Sequence, residues 1–387
     1  MNLDIPIAWL QLSHRKSRLI IATLGVTFAV ILMFVELGLR DGLFEDAVTI
    51  HKSIKADLVV LSGQTDSFWR SYAKPLPRSF LYNLSAVPGV TSVTPFYLGL
   101  GNFKNPATFI KRTIAVCAFR PDRVAFNLPE VNQQLAVIQK NDTFLFDRLS
   151  RSEFGPIASA LQERETMTTE LSNQAIKIGG LFSLGGGVFS ADGLLITSDI
   201  NYSHIFNEPL EKVHFGLINI DSKTKVEIIL EKISAQLPIN LRVMTLQNFM
   251  DLEKEYWSKA TPIGFIFNIL AVISFIFGGI IVYQIIYTQV SDYLYVYATL
   301  KAIGYANNYL MMTVIQEAFI IMAILGYMPG FCISLALYSF IKDATRLPLA
   351  MSLTRGLIVL FLTLTMCSLA GVLAVNKIRS ADPADLF

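Results

Sequence analysis

Glycines cluster in the middle of the chain, and clusters of this kind can form a phosphate-binding loop. The two clusters are Gly179-Gly180 and Gly185-Gly186-Gly187. A P-loop needs a lysine and then a serine or threonine directly after its last glycine, because these side chains hold the phosphates and Mg²⁺. Val188 and Phe189 follow instead, so a glycine-rich β-turn is favoured. Because the sequence has no Walker motif, we expect the chain not to hydrolyse ATP alone.

Serine, lysine and histidine residues show no catalytic or metal-binding pattern. Ser-x-x-Lys spacings occur at Ser13/Lys16, Ser71/Lys74, Ser222/Lys225 and Ser339/Lys342. A Ser–Lys acyl enzyme also needs a Lys-Thr-Gly motif, which the sequence lacks. The histidines His51, His204 and His214 lack ligand spacing, and we interpret them as surface or hydrogen-bonded residues. The sequence therefore predicts no catalytic, cofactor-binding or metal-binding residue, and a chain that is not an enzyme.

Carboxylates deep in a membrane span would indicate an ion-coupled transporter, since such groups are costly there and are kept for function. Glu36 and Glu317 lie near the ends of predicted spans. The polar residues of the second span, Asn268, Ser274 and Gln284, are uncharged and are typical of helix–helix contacts. A proton- or sodium-coupled pump is therefore disfavoured.

The composition indicates an integral membrane protein. The 387 residues are 53% hydrophobic and 16% charged, against about 25% charged in soluble domains. The net charge of +2 gives no argument for nucleic acid binding. Cys117 is the only cysteine between the first two long apolar runs, so an intradomain disulfide is excluded there.

Four apolar runs are long enough to cross a bilayer, which takes about 20 residues. The sequence predicts an α-helical membrane protein with four transmembrane helices (1 + 3) and a large mixed α+β extracytoplasmic domain between helices 1 and 2. The predicted order is an N-terminal amphipathic cytoplasmic segment (1–18), transmembrane helix 1 (19–40), an extracytoplasmic domain of one or two subdomains (41–262), transmembrane helix 2 (263–287), a cytoplasmic coupling loop (288–308), transmembrane helix 3 (309–341), a short extracytoplasmic loop (342–356), transmembrane helix 4 (357–375) and a cytoplasmic tail (376–387).

Lysine and arginine near the spans set the orientation. The N-terminal flank carries Arg15, Lys16 and Arg18 and the tail carries Lys377 and Arg379, which favours both termini in the cytoplasm. The loop between spans three and four opposes this assignment, with the basic residues Lys342, Arg346 and Arg355. Span one ends without a small-residue cleavage site, so we interpret it as an uncleaved anchor.

The segment between spans one and two predicts interleaved strands and helices. Strands are predicted at 57–61, 91–96, 108–119, 143–146, 175–182, 188–198, 213–220 and 241–245. Helices are predicted at 80–87, 130–139, 225–237 and 246–259. The polar stretch 163–171 is interpreted as a subdomain boundary or a mobile loop.

Two amphipathic features remain. Ile5, Trp9 and Leu12 fall at helical spacing before the basic flank, which fits either a helix on the inner membrane face or a simple topogenic flank. The loop at 288–308 is more apolar than we expect of a hydrophilic loop that only connects two spans. Its short helix, with Leu300 and Ile303 apolar and Gly304 as a stop, fits either docking into a partner's groove or an interfacial helix without a partner.

This loop resembles the signature of FtsX/MacB-type ABC transporter permeases. The resemblance is carried by Tyr297-Ala-Thr-Leu-Lys-Ala-Ile-Gly-Tyr305, followed by Gln316-Glu317-Ala318. Tyr293, Tyr295 and Val296 replace the polar residues of the wider family, which fits the cyanobacterial DevC branch (DevBCA-like exporters). Ala56–Leu61, Val87–Val90, Gly179–Gly185 and Asp382-Pro383 add weaker matches.

The resemblance implies a non-catalytic homodimer in the cell inner membrane, with ATP and Mg²⁺ bound by a separate DevA-like ABC ATPase. It implies a periplasmic, MacB-like domain that docks a DevB-like membrane fusion protein and, through it, a TolC-like outer-membrane channel. The expected cargo is a glycolipid or a similar amphiphile. The ATPase-coupling residues would be Tyr297, Ala298, Thr299, Leu300, Lys301, Ala302, Ile303 and Gly304.

Three alternatives stay open. An FtsX-like regulator of cell-wall hydrolases has a similar topology, and a lipoprotein-release permease shares the layout. A membrane enzyme or sensor with a ligand-binding extracytoplasmic domain is the third.

Overall fold

The computed structural model describes residues 16–163, 165–185, 192–306, 309, 312, 316 and 324–379. The chain divides into two compact units. The first comprises Met1–Gly42, Pro262–Thr345 and Leu349–Phe387, and the second comprises Leu43–Thr261 and Arg346–Pro348. The predicted amphipathic segment before residue 16, the start of predicted span three and the end of the tail lie outside the described residues.

The described helices have the following bounds, in chain order: α1 Lys16–Ala47, α2 Thr49–Ser53, α3 Arg78–Leu84, α4 Pro129–Asn132, α5 Leu135–Ile138, α6 Ile157–Glu163, α7 Asp199–Phe206, α8 Val226–Gln236, α9 Leu246–Glu255, α10 Pro262–Asp292, α11 Leu294–Ala302, α12 Ile324–Thr345 and α13 Leu353–Arg379. Two 3₁₀ segments lie at Phe68–Ala73 and Ser152–Phe154, and a π-helical segment lies at Tyr256–Ala260.

The described strands are β1 Leu58–Ser62, β2 Leu76–Pro77, β3 Val90–Lys104, β4 Lys111–Phe119, β5 Thr143–Asp147, β6 Met167–Leu171, β7 Gln174–Phe182, β8 Leu194–Ser198, β9 Lys212–Val213, β10 Phe215–Ile220 and β11 Leu241–Thr245.

The first unit contains the helices that can cross a membrane. Among the described residues, four helices are long and apolar enough: Leu19–Ala47, Pro262–Asp292, Leu325–Thr345 and Leu353–Ala374. With the mixed α/β unit between the first and the later three, they confirm the predicted 1 + 3 fold class. The exact limits of the spans in a bilayer stay a prediction.

The second unit is built on one large sheet. Within the described residues, nine strands pair in the order β11-β1-β10-β3-β4-β8-β5-β7-β6. Strand β6 also pairs with β3 through Phe103 and Lys104, so the strands from β3 to β6 close into a ring. Buried apolar residues form clusters around Leu58, Phe103 and Phe144 and around Phe96, Phe119 and Phe215. One continuous sheet therefore runs through the whole unit.

The interpretation of residues 163–171 as a boundary or mobile loop is wrong over its second half. Met167–Leu171 forms β6, which pairs along its length with β7 and at Leu171 and Glu170 with β3. Thr169 and Leu171 are buried at alternate positions, and Glu170 accepts a hydrogen bond from Lys104 at 2.7 Å. Thr168 and Glu170 lie on the more exposed face of the strand, while the buried face also contains the polar Thr169, so composition alone concealed the period of two.

Two glycines allow α12 to approach α1 closely. A Cβ on Gly326 would lie 2.5 Å from the Val26 side chain, and a Cβ on Gly330 would lie 2.6 Å from that of Val30. Thr27 Oγ1 donates a hydrogen bond to the Gly326 carbonyl at 3.1 Å. This Gly-x-x-x-Gly spacing is the small-residue pattern of helix contacts in membranes, where packing replaces the hydrophobic effect as the cause of association.

The substitution Gly330→Ala is expected to destabilise the helix bundle by about 1–3 kcal/mol, as overpacking does in well-packed cores. The matched control is Gly279→Ala in α10, where the new Cβ would meet Met366 at an ordinary 3.7 Å. Thermal unfolding of the detergent-solubilised chain should show a lower Tm for Gly330→Ala alone. Equal Tm values for the two variants would contradict this packing.

Candidate functional site

The predicted coupling loop contains a short helix with a well-formed end. In α11, Ile303 is the C-cap residue and Gly304 adopts a left-handed φ of 109°. The Gly304 N–H donates to the Lys301 carbonyl and the Tyr305 N–H donates to the Leu300 carbonyl, both at 3.1 Å. This pair of bonds is the Schellman motif. Gly304 therefore ends the helix, as the sequence predicts.

The eight predicted coupling residues fall into three groups by exposure. Tyr297 and Ala298 are buried, Thr299, Leu300 and Lys301 are half-buried, and Ala302, Ile303 and Gly304 are exposed. Ile303 is 71% exposed and Tyr305 is 44% exposed. The helix is thus anchored in its middle and presents an apolar C-terminal end. Leu300 and Ile303 are the two apolar residues of the predicted docking helix. Ile303 lies at the exposed end of the helix and Leu300 is half-buried.

Arg355 forms a polar centre within the first unit. Its side chain is 8% exposed. Nη2 and Nε donate to Asp41 Oδ2 at 2.8 and 3.3 Å. Nη1 donates to the Ala350 carbonyl at 2.8 Å and contacts Tyr338 Oη at 3.3 Å. A guanidinium in a low-dielectric setting needs such partners for its donors, and these partners come from three segments of the chain.

Tyr338 extends this centre to the backbone of α1. Its hydroxyl donates to the Phe34 carbonyl, and its ring lies under the Arg355 guanidinium at 5.6 Å. Gly38 makes the approach possible, because a Cβ there would lie 2.2 Å from Tyr338 Oη. Arg355, Tyr338 and Asp41 therefore connect α13, α12 and α1.

Glu36 corrects the expectation that the spans hold no buried carboxylate. The residue is 9% exposed and lies within the candidate span Leu19–Ala47. Its Oε2 accepts a hydrogen bond from Ser274 Oγ in α10 at 2.7 Å. Position near the end of the apolar run suggested exposure, whereas packing against α10 buries the side chain. A missing carboxylate thus no longer counts against ion coupling.

In the second unit, Glu253 is a fully buried acid on α9. Oε1 accepts hydrogen bonds from Ser67 Oγ at 3.0 Å and Trp257 Nε1 at 2.9 Å, and Oε2 accepts one from the Phe68 N–H at 2.5 Å. Burial raises the pKa of Glu253 to about 7 in spite of these three donors. The π-helical segment Tyr256–Ala260 follows directly, a rare geometry that is frequent at functional sites.

His51 contradicts the interpretation of the histidines as exposed or hydrogen-bonded. It is fully buried, and neither ring nitrogen has a hydrogen-bond partner among the described residues. The ring lies 4.6 Å from that of Phe68 and 4.9 Å from that of Phe249. Burial lowers the pKa of His51 to about 3, so the imidazole is neutral and packs as an aromatic ring.

The other sequence motifs have structural roles. Gly179 and Gly180 lie inside β7, which confirms the strand predicted at 175–182, and Cβ atoms there would meet Thr143 and Gln134. Gly185 donates its N–H to Asp147 at 2.9 Å, and Gly186 and Gly187 lie outside the described residues. The described parts of the chain contain no group of three metal-ligating side chains.

Within the described residues, the serine and the lysine of the Ser-x-x-Lys pairs do not bind each other. Ser71 Oγ donates to the Phe68 carbonyl at 2.7 Å, whereas Lys74 Nζ donates to that of Gln64 at 2.5 Å. Ser222 contacts Asp221 and Ser339 donates to Leu335. None of these three pairs forms a Ser–Lys hydrogen bond. Ser13 lies outside the described residues.

One family of known proteins matches the C-terminal part of the chain. Residues 268–383 match the family described as FtsX-like permease C-terminal, so this part of the chain is similar to that family. The match contains α11 and the whole predicted coupling segment. Comparison of the sequence with curated proteins finds no match.

Two solved structures are similar to about half of the chain. The periplasmic region of MacB from Actinobacillus actinomycetemcomitans matches with 12% identity and a TM-score of 0.36, covering 52% of this chain and 94% of that one. The extracellular domain of the noncanonic ABC-type transporter YknZ from Gram-positive bacteria matches with 10% identity and a TM-score of 0.31, covering 49% and 98%. At these values the likenesses support no functional conclusion.

A double-mutant cycle tests the Arg355–Asp41 ion pair. Asp41→Asn and Arg355→Met are each expected to destabilise the bundle, by on the order of 3 kcal/mol for the variant that leaves a buried charge alone. Their coupling energy should exceed about 1 kcal/mol. The control cycle pairs Asp41→Asn with Arg40→Met, since Arg40 contacts the same carboxylate at 3.2 Å with its side chain 33% exposed. Equal coupling in the two cycles, measured by unfolding in detergent, would refute a special role for Arg355.

Glu253 predicts a pH dependence of stability. Its folded-state pKa of about 7 exceeds the ordinary value of 4.5, so the folded state binds more protons and stability falls as pH rises from about 4.5 to 7. The loss is at most on the order of 3 kcal/mol. Glu253→Gln should remove this component of the Tm profile between pH 5 and 8, whereas Glu231→Gln at an exposed position of α8 should keep it. An unchanged profile in Glu253→Gln would contradict the assignment.

Proposed function

We propose that the chain is the permease subunit of a tripartite ABC exporter and is not itself catalytic. The observation that carries this proposal is the match of residues 268–383 to the FtsX-like permease C-terminal family. The exposed apolar end of α11 lies inside the matched range, as expected for a segment that seats on a partner.

ATP and Mg²⁺ would be bound by a separate ABC ATPase of the DevA type, and the residues from Tyr297 to Gly304 would form the coupling helix that contacts it. Because Tyr297 and Ala298 are buried, a push on Ile303 would be transmitted along the chain and not absorbed by a flexible loop. The helix α11 follows α10 after a single residue, Tyr293. Movement of the ATPase would therefore act on the base of the 31-residue helix α10.

The remaining parts of the assembly follow from the same proposal. The chain would be a homodimer in the cell inner membrane, with both termini cytoplasmic and the Leu43–Thr261 unit in the periplasm. That unit would dock a DevB-like membrane fusion protein, which connects to a TolC-like channel. The cargo would be an amphiphile such as a glycolipid, taken from the periplasm and not moved between the spans.

A pull-down with the intact, detergent-solubilised chain separates this proposal from its rivals. Recovery of an ABC ATPase together with a periplasmic adaptor supports the exporter. An ATPase recovered with a cell-wall hydrolase and no adaptor favours the FtsX-like regulator, and an ATPase with a lipoprotein carrier favours a lipoprotein-release permease. Recovery of no ATPase, under conditions that preserve known complexes, would overturn the proposal.

Substitutions in the coupling helix should uncouple the ATPase without affecting insertion. Gly304→Leu forces a branched residue into the left-handed region, at roughly 1–2 kcal/mol, although the space around Gly304 is open. Gly304→Asn is the matched control, because asparagine tolerates this conformation. Lys301→Glu reverses a charge at the predicted contact, and Lys342→Glu makes the same change on the exposed end of α12. We expect at least a tenfold loss of export with Gly304→Leu and Lys301→Glu alone; normal export would refute the assignment.

A further inference from the structure

A polar cleft of about 600 Å³ opens at one end of the nine-stranded sheet. The start of β1, the end of β10 and the start of β3 meet there, because Leu58 pairs with Ile218 and Ile218 pairs with Val93. The loop that follows β4 completes the wall. The volume of the cleft lies in the range of about 300–1,000 Å³ that is typical of ligand sites.

The charges of this strand-end cleft are partnered unequally. Its two cations, Lys55 and Arg123, make no side-chain hydrogen bond or ion pair within the described parts of the chain. The carboxylate of Asp122 is already held by Arg120, through Nη2 at 2.7 Å and Nε at 3.1 Å. Asp57 Oδ2 accepts the Ile220 N–H at 2.9 Å. Arg120 compensates the charge of Asp122, whereas the N–H bond leaves the charge of Asp57 in place. Lys55, Arg123 and Arg120 therefore exceed the two acids by one positive charge.

Neutral groups add donor capacity to the cleft. Ser92 Oγ accepts a hydrogen bond from Asn219 Nδ2 at 3.1 Å, which leaves the hydroxyl hydrogen of Ser92 for another acceptor. The register of β10 shifts between Asn219 and Ile220. Such bulges are over-represented beside functional sites, where they redirect a side chain.

The backbone that carries the two cations is fixed before any ligand binds. Ile54 and Phe126 form an isolated antiparallel bridge. On either side of it, the Lys55 N–H donates to the Ala125 carbonyl at 2.8 Å and the Asn127 N–H donates to the Ser53 carbonyl at 2.7 Å. Lys55 and the loop containing Arg123 are therefore held next to one another, which lowers the ordering cost of binding.

We propose that the strand-end cleft binds a phosphate group carried by a small polar molecule or by a lipid headgroup. A phosphate monoester carries about 1.5–2 negative charges at pH 7, so it can take both the guanidinium and the ammonium as partners beside the remaining charge of Asp57. Arg123 can donate two parallel hydrogen bonds to phosphate oxygens, Lys55 supplies a compact charge, and Ser92 supplies a hydroxyl donor. The hydroxyl and amide lining suits a hydrated, polar ligand body. This site is independent of the proposed function, since it needs neither the ATPase nor transport.

Titration calorimetry on the intact chain in detergent tests the site with glycerol 3-phosphate, and glycerol serves as the uncharged control. Arg123→Ala and Lys55→Ala should each weaken binding by about tenfold or more, as expected for hydrogen bonds to charged groups. Lys232→Ala and Lys177→Ala remove exposed lysines elsewhere in the same unit and should leave binding unchanged. Because the cations are exposed, an increase from 50 to 500 mM NaCl should also weaken binding.

A second arm distinguishes the two sources of phosphate. The same variants are compared for binding of glycerol 3-phosphate and of vesicles that contain 20% phosphatidic acid in phosphatidylcholine. Loss of vesicle binding without affinity for the free ester assigns a headgroup, and affinity for the free ester assigns a soluble ligand. Ligand binding retained in the Lys55→Ala/Arg123→Ala double variant, or no binding of either probe by a chain with unaltered Tm, overturns the proposal.

Discussion

The ion pair between Arg355 and Asp41 joins α13 to α1 within the first unit. An arginine at a span end cannot stay unpaired in a low-dielectric setting, so its donors must find fixed acceptors. Asp41, Tyr338 and the Ala350 carbonyl supply them from three segments. The Tyr338 hydroxyl continues to the Phe34 carbonyl. One guanidinium thereby holds α1, α12 and α13 at a single level.

Helices α1 and α12 also contact each other at a second position. Gly326 and Gly330 pack against Val26 and Val30, so α1 and α12 are in contact at two separate levels. By contrast, only 11% of the most apolar part of α10 is buried, against 44% in α1, although α10 packs closely on α13. Under the proposed function, the face of α10 that does not pack on α13 is available to the second copy of the homodimer.

The sequence predicted the features that depend on local pattern. Span number, the strands at Leu58–Ser62 and Leu241–Thr245 and the helix stop at Gly304 follow from apolar length, β-branched residues and glycine chemistry. Structural features that depend on contacts between residues far apart in the sequence could not be predicted from local pattern. Strand β6 is polar on its outer face, and only pairing with β3 and β7 makes it a strand. His51 shows no signal at all, because its burial depends on Phe249, which lies far along the chain. The spacing of Gly326 and Gly330 in the sequence is itself a signal of close helix packing.

The contacts of Arg355 and Arg346 also bear on the orientation of the chain. Lys342 at the end of α12, Arg346 in the loop that follows and Arg355 at the start of α13 by count oppose cytoplasmic termini. Arg355 is neutralised by Asp41, and Arg346 Nη1 donates to the Leu149 carbonyl at 2.6 Å within the second unit. Arg346 and Lys342 are both exposed, so two of these three cations still count against cytoplasmic termini. The proposed placement of both termini therefore depends on the basic flanks at the two ends of the chain.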